Sequence, residues 1–127
     1  MKINNKFAIG CLVQWYEIEI IEEYISSVKQ ALNEVENKKN VIIDFTFTTN
    51  QTLEKINSDT DINTLRFKFQ NMMKDFDGDV EWRVTDELVT IADYRRWFND
   101  YYCEKVDVLM WGETDALIPK QTFEILD

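Results

Sequence analysis

The sequence predicts an α/β protein built on a mostly parallel sheet with helices on both of its faces. Short apolar segments with strand character alternate along the chain with longer segments in which apolar residues recur every three or four positions. Parallel strands need long crossover connections of this kind, usually helices. The 127 residues are enough for one domain with its own core but hardly for two, so we expect a single Rossmann-like three-layer domain spanning residues 1–127.

The first half of the chain predicts two strands separated by a helix. Phe7–Val13 is apolar throughout, as expected for a strand that is buried on both faces. Val41–Phe47 is rich in β-branched and aromatic residues and predicts the second strand. Between them, apolar residues form one helical stripe at Ile18, Ile21, Ile25, Val28, Leu32 and Val35.

The second half adds two strands and three helices. The predicted elements are, in order, a helix over Ile62–Phe76, a strand over Val80–Val84, a helix over Ile91–Tyr102, a strand over Val106–Trp111 and a helix from Pro119 onward. The polar turn at Asp77–Asp79 ends the first helix, Thr90 is placed to cap the second, and Pro119 suits the first turn of the third.

The charge of the chain is strongly negative, with 14 basic and 24 acidic residues and a net charge of −10. Such a surface repels nucleic acid and anionic lipid, so neither is expected as a partner. The absence of histidine excludes Ser-His-Asp triads, Cys-His pairs and histidine-ligated zinc. Any metal site would therefore use oxygen ligands, which suit Mg²⁺, Mn²⁺ or Ca²⁺.

Hydropathy and cysteine usage predict a cytoplasmic protein without a membrane span. No apolar run approaches the ~20 residues of a membrane-spanning helix. The N-terminal stretch lacks the layout of a signal peptide, because its apolar part runs directly into Gln14 and an amphipathic segment. Cys11 and Cys103 are far apart in the sequence and have apolar surroundings, so we expect two buried free thiols.

The residues after the fourth strand, Gly112-Glu113-Thr114-Asp115, form the first candidate site, because ligands of open α/β sheets bind outside the carboxyl ends of the strands. Acidic pairs two residues apart are common in this chain, but only this pair lies between an apolar strand and the apolar run Ala116–Pro119. Partial burial of two carboxylates is costly unless a cation or hydrogen bonds compensate. Glu113 and Asp115 are therefore predicted to bind a metal ion, with capping of the loop by ordinary hydrogen bonds as the alternative.

A second acidic stretch, Asp75–Glu81, has some features of a calcium loop. Its glycine lies at loop position 4, whereas an EF-hand needs it at position 6, and Asp86 would replace the final bidentate glutamate. A polar turn between a helix and a strand is the simpler interpretation.

Four segments have a distinctive order along the predicted elements. The first strand runs into Gln14-Trp15-Tyr16-Glu17, the second strand ends in Phe45–Asn50, the helix after the third strand contains Asp93–Asn99, and Glu113-Thr114-Asp115 follows the fourth strand. This order resembles the nucleotide-binding half of GT-A fold glycosyltransferases, especially family 2-like enzymes. In the corresponding places these enzymes have a P-T-Y-N-like turn, a D-D-G-S-x-D-like turn, an A-R-N helix and a D-x-D motif. The resemblance extends over nearly the whole chain.

The resemblance implies a metal-dependent glycosyltransferase, or its donor-binding core, that binds a nucleoside-diphosphate sugar, with a UDP-sugar favoured. It implies that Asp115 binds Mn²⁺ or Mg²⁺ and that Glu113 holds the ribose or the metal. The cation would neutralise charge on the departing nucleoside diphosphate. The nucleotide-binding residues that the resemblance implies are Gln14, Trp15, Tyr16, Glu17, Phe45, Thr46, Arg95 and Thr114.

The aromatic and base-reading positions leave alternatives open. Trp15 and Tyr16 suit contacts with the nucleoside, but they equally suit a core or an interface. Phe45 or Thr46 stands where the aspartate that usually reads uracil would be, which leaves the identity of the base open. Thr46 could hydrogen-bond the base.

Arg95 is the candidate phosphate ligand. It lies four residues before Asn99 on one helical face, so it could reach the phosphates or Asp115. The alternative is that Arg95 and Arg96 form surface ion pairs with this acidic chain.

A catalytic base cannot be assigned, although inverting transfer needs a carboxylate to accept the proton of the acceptor hydroxyl. In the family the acceptor-binding half would follow Asp127, so the resemblance covers a minimal enzyme or a donor-binding module with an unknown acceptor. The alternative function is a non-catalytic α/β module for nucleotide binding or for interaction. The aromatic content, with four Trp, five Tyr and eight Phe, also predicts self-association as a homodimer.

Overall fold

The computed structural model describes residues 1–49, 61–76 and 78–127 and has the predicted α/β class. Within these residues four strands form one sheet: β1 (Phe7–Gln14), β2 (Val41–Thr48), β3 (Asp79–Thr85) and β4 (Val108–Trp111). Every pairing between them is parallel, and their order is β3-β2-β1-β4. The helices are α1 (Ile21–Asn33), α2 (Ile62–Lys74), α3 (Ile91–Tyr102) and α4 (Thr122–Leu126), and 3₁₀ turns lie at Trp15–Glu17 and Lys38–Asn40.

The order of the strands reverses next to β1. From β1 the chain moves outward through β2 to β3, and it then returns to place β4 on the other side of β1. Phe7 at the start of β1 accordingly pairs with both Val41 and Val108. At such a reversal a crevice is left at the carboxyl ends of the neighbouring strands, where α/β proteins bind ligands.

Helices cover both faces of the sheet, which makes the three layers that the sequence predicts. The helices α1, α2 and α4 pack on one face through a large core that includes Ile9, Phe45 and Phe123. The other face carries α3, over a smaller core formed by Ala8, Leu12, Tyr94, Phe98 and Tyr102. All residues of the predicted helical stripe are buried, although α1 itself begins only at Ile21.

The helix α3 lies so close to the middle of β1 that Gly10 has no room for a side chain. A β-carbon built there would be 2.5 Å from the Phe98 ring and 2.7 Å from the Tyr94 hydroxyl oxygen. The glycine therefore permits the close approach of this helix to the sheet.

A buried carboxylate joins α3 to the sheet. Asp44 in β2 is fully buried, and both Nη atoms of Arg83 in β3 donate to it over 2.9 Å. The hydroxyls of Tyr94 and Tyr102, both on α3, donate to the same carboxylate over 2.7 and 2.6 Å. These donors satisfy the buried charge, as burial of an ionised group requires. The network holds α3 against the sheet and so sets the position of the other residues on this helix.

Several predicted boundaries shift by one or more residues in the structure, and two of these shifts have a clear local reason. Val106 belongs to the turn that ends α3, because its N–H donates to the carbonyl of Tyr102, and β4 begins at Val108 instead. Pro119 lies in a turn that is closed by the N–H of Thr122, so the last helix begins only at Thr122.

The two free cysteines differ in burial. Cys11 is buried as predicted, but Cys103 is exposed, so the expectation of two buried thiols is wrong. Cys103 follows the last residue of α3, one position past the buried Tyr102, and that position faces away from the sheet. Burial, together with the nearby charges of Glu17 and Glu113, raises the pKa of the Cys11 thiol, which keeps it protonated and unreactive.

None of the helices in the described part of the chain has both the length and the apolar character that a membrane crossing requires.

Candidate functional site

A cleft of about 340 Å³ opens where β1 and β4 end, at the reversal of the strand order. This volume lies in the lower part of the range that small-ligand sites occupy. One wall is the end of β1 with the 3₁₀ turn that follows it, and the other is the segment after β4. The lining residues are Leu12, Gln14, Tyr16, Glu17, Ile91, Gly112, Glu113, Thr114 and Asp115.

The segment after β4 stays close to the sheet before it turns away. The N–H of Gly112 donates to the carbonyl of Gly10 over 2.6 Å, which extends the contact between β4 and β1. A side chain at Gly112 would overlap the hydroxyl of Tyr24, so this position requires a glycine. A turn follows, in which the N–H of Ala116 donates to the carbonyl of Glu113 over 3.1 Å. The acidic pair therefore occupies the first and third positions of this turn, which we call the acidic turn (residues 113–116).

The side chains of the acidic turn differ in exposure. Thr114 is buried, whereas Glu113 and Asp115 are exposed, with 55% of the Glu113 side chain open to solvent. The expectation of two partly desolvated carboxylates is therefore wrong, because the turn projects beyond the end of the sheet. Burial therefore gives no reason to expect a cation at this turn.

Arg95 of α3 pairs with Glu113 beside the cleft. Its Nη2 lies 3.2 Å from Glu113 Oε1, and its guanidinium stacks on Trp111 at 4.6 Å from the ring centroid. The indole N–H of Trp111 donates to Asn99 Oδ1 over 3.0 Å, which fixes the ring on which Arg95 rests. The sequence predicts that Arg95 reaches Asp115 or phosphate, but the structure places it on the other carboxylate of the pair.

The carboxylate of Glu17 contacts both walls of the cleft. Its Oε1 accepts a hydrogen bond from the N–H of Gln14 over 3.0 Å, and its Oε2 accepts one from the hydroxyl of Thr114. Gln14 Nε2 donates in turn to the carbonyl of Val89 over 3.3 Å, in the loop before α3. Three segments that are distant in the sequence thus meet at this point.

Most of the predicted site residues come together in the cleft. Those that line it are Gln14, Tyr16, Glu17, Glu113, Thr114 and Asp115, and Arg95 joins them through Glu113. The two aromatic residues, which the sequence assigned either to the core or to a nucleoside contact, differ in position. Trp15 is buried in the large core, whereas Tyr16 is 58% exposed at the cleft.

Phe45 and Thr46 do not line the cleft. Phe45 is buried in the large core against Tyr24 and Phe69, and Thr46 is buried on the opposite face, where it accepts a hydrogen bond from Arg83 over 2.8 Å. The expectation that these residues read the base is not supported by their position, because both lie inside β2, which extends to Thr48, and the packing on both faces of the sheet buries their side chains.

Sequence reasoning missed the residues that support Arg95. Trp111 is half exposed at the end of β4, and Asn99 on α3 holds its ring. A tryptophan as the last residue of a strand, directly before a glycine and an acidic pair, is the signal that could have indicated this contact. Leu12 was also missed as a lining residue, although it lies two positions before Gln14 on the same face of β1.

The donor set of the cleft fits a hard cation only in part. Within the described residues, no group of three or more cysteine, aspartate or glutamate side chains could hold a metal ion by itself. Glu113 and Asp115 can supply two carboxylates, and both oxygens of Glu17 are already engaged. Mg²⁺ and Mn²⁺ sites commonly combine one or two carboxylates with water and substrate phosphates, and this arrangement leaves room for such ligands.

The competing Asp75–Glu81 stretch stands apart from this cleft. Asp77 lies outside the described residues, and the described members of the stretch do not line the cleft. Comparisons of the chain with protein-family models, with curated proteins and with solved structures give no match.

Proposed function

We propose that the protein binds a nucleoside-diphosphate sugar, with a UDP-sugar favoured, in the cleft between β1 and β4, as a metal-dependent glycosyltransferase or its donor-binding core. One observation carries this proposal: the acidic turn faces the turn after β1 across a cleft at the reversal of the strand order. That is the location at which open α/β sheets bind nucleotides. A cytoplasmic location remains part of the proposal.

The side chains of the cleft suit different parts of such a ligand. The exposed ring of Tyr16 offers a face on which a base can stack. Arg95 offers a planar guanidinium for phosphate oxygens, since its pair with Glu113 is partly exposed and therefore weak enough to be exchanged. Glu113 and Asp115 would hold a divalent cation, which when bound would neutralise charge on the leaving diphosphate.

The acidity of the cleft explains why nucleotide and cation should depend on each other. Three carboxylates line the cleft, those of Glu17, Glu113 and Asp115, on a chain with a net charge of −10. A diphosphate alone is repelled by this surface, and two exposed carboxylates alone are a weak cation site. By thermodynamic reciprocity, each ligand should raise the affinity for the other by the same factor.

Calorimetry with UDP in the presence of Mn²⁺, of Mg²⁺ and of EDTA tests this proposal. We expect heat of binding with either cation and none in EDTA. Unchanged UDP affinity in EDTA would contradict the cation-dependent site. ADP and GDP, titrated under the same conditions, serve as controls for recognition of the base.

A second assay separates the enzyme from a non-catalytic nucleotide-binding module. UDP-sugars incubated with the protein and Mn²⁺ should release UDP, by transfer to an acceptor or to water. Binding without any release of UDP would favour the module, and it would agree with the lack of an assignable catalytic base among the carboxylates of the cleft.

A further inference from the structure

Glu17 and Thr114 are joined across the cleft although they are 97 positions apart in the sequence. The Thr114 hydroxyl donates to Oε2 of Glu17, while Oε1 accepts from the backbone N–H of Gln14. One carboxylate therefore contacts the last residue of β1 with one oxygen and the acidic turn with the other. We call this contact the Glu17–Thr114 bridge.

The bridge acts on the acidic turn at its second position. Thr114 is only 5% exposed, while both of its neighbours face solvent. The turn is closed by its own backbone hydrogen bond, so the direction of one side chain restricts the directions of the others. Because Glu17 holds the Thr114 side chain in a buried position, the side chains of Glu113 and Asp115 remain exposed to solvent at the cleft.

The bridge also determines which carboxylates are available to a ligand. Glu17 lines the cleft, but each of its oxygens already accepts a hydrogen bond from the protein. Carboxylates engaged in this way orient the groups around a metal site, and loss of such contacts commonly costs 10- to 100-fold in metal affinity.

We propose that Glu17 and Thr114 are positioning residues, which fix the acidic turn relative to the end of β1 and thereby set the affinity of the cleft for a divalent cation. This assigns Glu17 and Thr114 to the support of the site, in place of the direct nucleotide contacts that the sequence resemblance implies. The inference rests on the proposed function for its metal readout, but the bridge itself can be tested without any ligand.

The test compares Glu17→Ala, Thr114→Val and the double variant with the unmodified protein. We expect each single variant to lower Mn²⁺ affinity, measured by calorimetry in the presence of UDP, by roughly tenfold or more. The double variant should lose no more than Glu17→Ala alone, because Thr114 has no Glu17 carboxylate left to bond once that change is made. Thr114→Ser keeps the hydroxyl and should retain the affinity of the unmodified protein.

A direct metal ligand at position 17 would give a different pattern. Glu17→Ala would then weaken Mn²⁺ binding while Thr114→Val left it unchanged, and this outcome would overturn the proposal. Thermal unfolding of each variant controls for loss of the fold, and Thr114→Ser provides the matched variant if Thr114→Val does not fold.

Amide hydrogen exchange separates failure of the bridge from failure of the proposed function. Exchange of the amides in residues 112–118 should be faster in Thr114→Val and in Glu17→Ala than in the unmodified protein, and no faster in the double variant than in Glu17→Ala. If the unmodified protein binds no Mn²⁺, the proposed function is wrong, while this exchange pattern still supports the bridge. Exchange in these residues that is unaffected by either variant would overturn the bridge, whatever the metal result.

Discussion

Arg83 and Asp44 form a two-point ion pair in which each Nη atom of the guanidinium lies 2.9 Å from a different oxygen of the carboxylate. Asp44 is fully buried, whereas the side chain of Arg83 is 37% exposed and packs over the Trp97 ring at 4.4 Å. The pair joins two neighbouring strands, and the tyrosines of α3 complete it. The buried charge on β2 therefore depends on donors from two other elements, β3 and α3.

Replacement of Asp44 should strongly destabilise the protein. Asp44→Ala leaves the Arg83 guanidinium and two tyrosine hydroxyls without their acceptor, and breaking a buried pair in this way commonly costs about 3–5 kcal/mol. Because water reaches Arg83, we expect a loss near about 3 kcal/mol in the free energy of unfolding. Chemical denaturation measures it, with the exposed Glu104→Ala as the control. A loss below about 1 kcal/mol would contradict the structural role of this network.

Stability should decrease at alkaline pH. Burial raises the pKa of Tyr24, and burial followed by the charge and hydrogen bond of Asp44 raises that of Tyr94, whereas both phenols ionise near pH ~10 in an unfolded chain. Above that pH the unfolded chain loses protons that the folded protein keeps. The stabilisation is therefore complete below about pH 10 and decreases above it, by up to about 1.4 kcal/mol per pH unit for each tyrosine.

Denaturation at a series of pH values from about 8 to about 11 measures this decrease. Tyr94→Phe should have a shallower dependence than the unmodified protein, because one of the shifted groups is gone. Equal slopes for the two proteins would show that Tyr94 does not contribute.

Asp115→Ala should abolish the cation-dependent binding of UDP and leave the fold intact. Asp115 is an exposed member of a like-charged pair, so its removal relieves repulsion, and stability should hold or rise. Asp77→Ala, in the competing acidic stretch, is the matched control and should bind UDP normally. Loss of binding in the Asp77 variant alone would move the site away from the acidic turn. Calorimetry with Mn²⁺ and thermal unfolding are the two measurements.

Removal of the Tyr24 hydroxyl should not harm the protein. Among the described residues this buried hydroxyl has no hydrogen-bond partner, and it occupies the space that a side chain at Gly112 would need. An unsatisfied buried hydroxyl costs free energy, so Tyr24→Phe should leave the free energy of unfolding unchanged or raise it by about 1 kcal/mol. Gly112→Ala should destabilise the protein by about 1–3 kcal/mol, and Tyr24→Phe in the same chain should recover part of this loss. A destabilised Tyr24→Phe would reveal a partner for this hydroxyl.

Self-association remains a prediction, now with a defined surface. Trp97, Tyr101 and Trp111 are 38%, 46% and 50% exposed, whereas Trp15 is buried and cannot contribute. Exposed aromatic surface of this kind commonly marks contacts, and a symmetric dimer would cover it. Sedimentation at micromolar concentration and physiological ionic strength, where the net charge is largely screened, should show a dimer that Tyr101→Ser weakens. A clean monomer would contradict this prediction.

Local sequence patterns were sufficient to predict the layers of the fold. β1 is almost entirely apolar and β2 is rich in β-branched and aromatic residues, and both are buried on both faces. The stripe from Ile18 to Val35 has the helical period, so element type follows from composition and side-chain spacing. The same reasoning identified the acidic turn, because a strand end is visible where an apolar run stops. Boundaries such as Val106 were wrong by a few residues, since a hydrogen bond of the preceding turn decides them.

The sequence by itself determined the α/β class, the two helical layers and the candidate acidic pair, because each depends on residues that are close in the chain. Only the tertiary structure decided that Glu17 bonds Thr114, that Arg95 pairs with Glu113, and that Phe45 and Thr46 lie away from the cleft. These contacts depend on which strands become neighbours and on how far each strand extends. Such long-range partners are selected by packing of the whole chain, and no local pattern records them.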